Sequence, residues 1–163
     1  MKLTKKKISL IVSAIVVVLV AVVFIIGSNG YERVEKETWK AICNKDADKL
    51  MAMYPDEFLD NVSKELKVSK KALKENLESN LKGVKVEYSD LTFEFGSVEE
   101  GYTSNGLDEY LDYFAEMFDY EAEPSKWVKV KIHDNNNKYS NDYCLKIGNR
   151  WYSVTAMTAI YEF

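Results

Sequence analysis

The chain has 163 residues, a formal net charge of −4, 47% hydrophobic residues and 29% charged ones. That balance excludes a disordered or collagen-like chain, and the length holds one domain with at most a tail. The average covers two unlike parts. Residues 1–30 carry Lys2, Lys5, Lys6 and Lys7 and no acid, while residues 31–163 carry the other 18 basic residues and all 26 acids, a net charge of −8.

Ile8 to Ile26 is an apolar run of 19 residues interrupted only by Ser9 and Ser13. At 1.5 Å per residue it spans roughly 28 Å, close to the ~30 Å hydrocarbon core of a bilayer. An uncleaved signal anchor is expected, with a cleaved signal peptide as the alternative; signal peptides usually have a shorter apolar region. No Cys follows the run directly, so a lipoprotein anchor is excluded. Lys2, Lys5, Lys6 and Lys7 flank only the N-terminal end. The positive-inside rule therefore puts residues 1–7 in the cytoplasm, the span at 8–27, and residues 28–163 outside the cell membrane. Lys outnumbers Arg 20 to 2, which points to an AT-rich bacterial genome.

Beyond the span, the first half reads as helices. Glu32–Asn44 places Val34, Thr38, Ala41 and Ile42 on one face, with Trp39 and Cys43 beside it. Asp46 is a cap for Ala47–Met53, which stops before Pro55. Asp56–Leu66 continues with Phe58, Leu59 and Val62. Ser69 caps a helix with Leu73, Leu77 and Leu81 in one row, ended by Gly83. The period then falls to two. Val84, Val86 and Tyr88 alternate, and Leu91, Phe93 and Phe95 alternate in the opposite parity. A phase change at Ser89-Asp90 predicts a bulged strand or two strands. Gly106–Tyr120 is helical again, with Leu107, Tyr110, Leu111, Phe114, Met117 and Phe118 on one face. Strands are expected at Trp127–His133, Tyr139–Ile147 and Arg150–Ala156, the last two joined by a Gly148-Asn149 turn. The tail from Met157 is expected to lengthen the last strand. Helices followed by an antiparallel sheet make an α+β fold.

Two stretches carry a resemblance. Trp39-Lys-Ala-Ile-Cys-Asn-Lys-Asp-Ala-Asp-Lys-Leu-Met-Ala-Met-Tyr54 resembles the opening of nuclear transport factor 2-like domains, a long helix, a break and a second helix. Leu145-Lys-Ile-Gly-Asn-Arg-Trp-Tyr-Ser-Val154 resembles their closing hairpin. The resemblance implies a cone: N-terminal helices packed on a curved antiparallel sheet, with a pocket. It covers most of residues 31–156, and the inserted helix matches small bacterial cell-surface members. Similar anchored domains serve in secretion and conjugation assemblies.

Cys43 and Cys144 are the only cysteines. In a cone the first helix lies near the last strands, so a disulfide is one reading, and two buried thiols or a reactive thiol are the others. His133 is the only histidine and sits beside the turn residues Asp134-Asn-Asn-Asn137, so it is a turn-edge residue and no metal site is expected. Nine acids and no Lys or Arg lie between Gly96 and Ser125. Asp108, Asp112, Glu116 and Asp119 share one helix face, and Tyr102, Tyr110, Tyr113 and Tyr120 cluster with them. A solvated face, a docking surface for a basic partner and a weak cation site are the readings; an EF-hand pattern is absent. The −8 charge excludes nucleic acid as a partner.

No nucleophile elbow, phosphate loop, dinucleotide fingerprint or zinc-protease motif occurs, so no catalytic residue and no cofactor is assigned. The expected function is a non-enzymatic, membrane-anchored extracytoplasmic binding or scaffold module. Its partner is an envelope protein with a basic surface, or a small apolar ligand. The resemblance also carries the alternative, a ketosteroid-isomerase-like enzyme with an acid and tyrosine pocket.

Overall fold

A computed structural model describes residues 30–101, 106–136 and 138–160. The expected span at 8–26, its lysine flank and Tyr102 lie outside the described residues. Among those residues no helix is long and apolar enough to cross a membrane. Tyr31–Phe163 form one compact unit. It is α+β, with helices around a four-stranded antiparallel sheet.

Four helices come first: α1 (Gly30–Cys43), α2 (Ala47–Met51), α3 (Asp56–Glu65) and α4 (Lys70–Leu81). Their starts follow the capping chemistry of the sequence. Asp46 accepts the Lys49 backbone N–H at 3.0 Å, and Ser69 accepts that of Ala72 at 3.1 Å. Their ends do not follow it. Gly83 keeps an ordinary backbone, and the left-handed positions fall on Lys45 (φ 59°) and Lys67 (φ 55°). Each closes a Schellman turn: Asp46 N–H donates to Ala41 O at 2.9 Å, and Val68 N–H to Ser63 O at 3.0 Å. Saturating the last carbonyls outweighs the left-handed cost of a Cβ, about 1–2 kcal/mol.

The sheet runs β1 (Thr92–Glu100), β2 (Lys126–His133), β3 (Tyr139–Ile147), β4 (Arg150–Ser153), in that spatial order. Helix α5 (Leu107–Phe118) is inserted between β1 and β2 in sequence. Residues 84–87 form no strand, contrary to their alternation. The β1–β2 register starts at Thr92 opposite His133, where β2 ends, so nothing stands opposite the earlier residues. The phase change at Ser89-Asp90 is a single 3₁₀ turn, Tyr88–Asp90. The true irregularity is between Phe95 and Val98, at Gly96-Ser97. A Cβ on Gly96 would stand 3.1 Å from the Lys129 carbonyl, so glycine permits the close approach of β2.

The last strand is shorter than expected. It stops at Ser153, and Val154–Ala159 form a helix, α6. Ser153 caps it by accepting the Ala156 N–H at 3.3 Å. The helix is buried through Val154, Ala156, Met157, Thr158 and Ala159, so tertiary packing overrides the strand preference of Val154 and Thr155.

Two apolar clusters use the sheet as their common wall. The larger joins the buried faces of α3, α4 and α5 to Trp127, Tyr143, Leu145 and Tyr152. Phe58 is its centre. The rings of Phe114, Phe118 and Tyr120 stand edge-on to it, with centroids at 5.4, 5.8 and 5.2 Å. The smaller cluster is Val128, Val130, Ile132 and Cys144, covered by Tyr31 and Trp39 of α1 and by Phe93, Phe95 and Trp151.

Candidate functional site

The expected acidic face of α5 divides on inspection. Asp108 turns back and accepts the Gly106 N–H at 3.2 Å. Asp119 has a left-handed backbone (φ 51°), its carboxylate lies 3.5 Å from Lys64 Nζ, and its carbonyl accepts from Asn61 at 2.6 Å. Tyr110 is half-buried against the Tyr143 ring and belongs to the packing. Asp112, Tyr113, Glu116 and Met117 remain exposed, with Tyr113 at 36% and Met117 at 49%. The outward ridge is thus two acids interleaved with an aromatic ring and a thioether.

Open clefts lie on the described residues. One of about 410 Å³ is lined by Arg33, Met53, Arg150 and Trp151 among others. A second, about 370 Å³, is bounded by Gly96, Glu99, Trp127 and Lys129. A third, about 200 Å³, lies between Trp39, Val86, Leu91 and Tyr139.

A cluster that the sequence reading missed sits beneath α1. Glu35 is on the stripe Tyr31, Glu35, Trp39, spaced four residues apart, which faces the smaller apolar cluster. Its side chain is 0% exposed. Trp39 Nε1 donates to Glu35 Oε1 at 2.9 Å, and the Cys144 thiol donates to Oε2 at 3.3 Å. Asp142, two residues along β3 on the same face, is 3% exposed. It accepts the N–H of Tyr143 at 2.6 Å and of Thr155 at 3.0 Å, and the Ser153 hydroxyl at 3.2 Å. Burial holds the Glu35 carboxyl well above the usual carboxylate range, and the Asp142 charge and its hydrogen bond to Glu35 raise it further. Burial and the neighbouring carboxylate thus both favour the neutral form of Glu35. None of the three cleft linings includes Glu35, Asp142 or Cys144. Among the described residues no three His, Cys, Asp or Glu side chains are arranged to hold a metal ion.

Both cysteines are free thiols. Cys144 lies against Glu35, and Cys43 is eight residues further along α1, about 12 Å of helix. Burial raises the Cys144 thiol well above its ordinary value, with the neighbouring Glu35 adding to it. Burial and then Glu87 and Asp90 raise Cys43. Neither is an activated nucleophile. Alkylation without reductant should modify Cys43 slowly in the folded protein and Cys144 only after unfolding. Recovery of a linked Cys43–Cys144 peptide would contradict this arrangement. His133 lies at the end of β2, with Nε2 3.4 Å from Glu94 and its ring 6.0 Å from that of Tyr139.

No family model matches the chain, and neither does any curated protein or solved structure.

Proposed function

We propose that the protein is a single-pass, membrane-anchored extracytoplasmic binding module with a nuclear transport factor 2-like cone, non-enzymatic, that docks a basic envelope protein. The apolar run at 8–26 behind its four lysines supports the anchor. The helices followed by a four-stranded antiparallel sheet support the cone. One observation carries the docking role: on α5, Tyr113 and Met117 stand exposed at helical spacing beside Asp112 and Glu116. Tyrosine and methionine give contact area at low ordering cost, and the acids select a basic partner by long-range attraction. Replacing Met117 with a photo-crosslinking residue in the full chain should yield one discrete adduct in native membranes. Asp112→Lys with Glu116→Lys should abolish it. An adduct that survives the charge reversal, or a crosslinker at exposed Lys85 giving the same product, would rule the ridge out.

A second reading, a ketosteroid-isomerase-like enzyme, rests on the buried Glu35–Asp142 pair, since perturbed acids gather at active sites. The surroundings of the pair weigh against it. Trp39, Cys144, Ser153 and two backbone N–H groups already occupy its hydrogen-bonding positions, so a substrate has no donor to meet.

A further inference from the structure

Arg33 and Arg150 are the only arginines in a chain with 20 lysines, and both line the same 410 Å³ cleft. Arg33 projects from α1, and Arg150 opens β4 directly after the Gly148-Asn149 turn. We propose that this cleft is a binding site for a small organic oxyanion, a carboxylate or phosphate ester carrying an apolar body.

Three features support the assignment. First, both guanidinium groups are exposed, and among the described residues neither takes part in a salt bridge. The one acid in the lining, Glu37, is bonded instead to Lys49. Second, Arg150 and Trp151 sit on a firm base. The Arg150 guanidinium lies 5.7 Å from the Tyr152 ring centroid, and the Trp151 indole meets Tyr31 edge-on at 5.3 Å. Third, Val34, Met53 and Trp151 supply an apolar wall beside the two charges. A guanidinium presents a planar fork that matches two oxygens of a carboxylate or phosphate, which an ammonium does not. In a domain that otherwise uses lysine for positive charge, two forks at one cleft are chemistry for a shaped anion. The cleft shares no residue with the α5 ridge, so the failure of one leaves the other standing.

The test is calorimetric titration of the full chain in a neutral detergent with four probes: inorganic phosphate, glycerol 3-phosphate, phenyl phosphate and phenylacetate. Saturable binding is expected, tighter for the aromatic probes than for inorganic phosphate. Arg33→Lys and Arg150→Lys should each weaken it about tenfold, because the charge stays and the fork is lost. Trp151→Phe should weaken the aromatic probes and spare phosphate. Glycerol 3-phosphate as the tightest probe would assign the oxyanion to a lipid headgroup, and phenylacetate as the tightest would assign it to a free carboxylate; either supports the site. Unchanged binding in both lysine variants, with unchanged thermal midpoints, would show charge attraction only and overturn it. Absence of saturable heat with all four probes would overturn it as well.

Discussion

Glu35→Gln should make the protein more stable at pH 8 and leave it nearly unchanged at pH 4. Glu35 is buried and bonded to Trp39, Cys144 and Asp142. Its folded pKa is raised well above the unfolded 4.5, so the folded state holds a proton that the unfolded chain releases. Stability from this group is complete below the unfolded value and is lost as pH rises towards the folded one. Each unit between the two is worth about 1.4 kcal/mol. Glutamine has the shape of the protonated acid, keeps an acceptor for Trp39 and a donor for Asp142, and cannot ionise. Denaturant unfolding of the full chain at pH 4, 6 and 8 measures the effect. Parallel wild-type and variant curves across that range would refute a raised Glu35 pKa. Glu37 acts in the opposite sense, since its bond to Lys49 lowers its pKa and that contribution fades in acid. Its side chain is 38% exposed, so solvent screening keeps the contribution small.

Phe58→Ala should cost about 3–5 kcal/mol, the range for truncating a fully buried aromatic side chain. Phe58 is 0% exposed and touches the rings of Tyr54, Phe114, Phe118 and Tyr120, which come from two separate segments. The aromatic neighbours are too stiff to collapse into the space, so the cavity term stays large. Met117→Ala, between Phe114 and Phe118 on α5 but facing water, should change stability by under about 0.5 kcal/mol. Equilibrium urea unfolding compares the two. Equal midpoint shifts would mean that the ring cluster is not the centre of the core.

The helical half was legible because its rows were clean and its caps were polar residues with one obvious use. Phe58, Leu59 and Val62, and then Leu73, Leu77 and Leu81, are buried as their spacing requires. The misreadings have separate physical causes. At 84–88, alternation recorded an extended backbone but not a partner, and pairing is a long-range property. At Val154-Thr155, β-branched residues pointed to strand while Ser153 was already capping a helix. The buried acids were hidden by strand parity. Alternation puts Tyr139, Asn141, Tyr143, Leu145 and Ile147 on one patterned face, yet β3 is buried on both faces from Asp142 to Leu145. Glu35 left a trace in the sequence, an acid midway between two aromatics at helical spacing, but Asp142 has none without the fold. The arginine cleft could be counted, as two arginines among 22 basic residues, but not located.

Asp142 also touches α6, because its Oδ1 accepts the Thr155 N–H in the first turn of that helix. One carboxylate thus clasps the first and the last described helices of the chain, through Glu35 on one side and Thr155 on the other. Such a clasp closes only when the intervening strands are in register, and closing so long a loop early has a high entropic cost. The clasp is therefore expected to close late, after the strands have paired. Any proton that leaves Glu35 acts on both ends of the domain together.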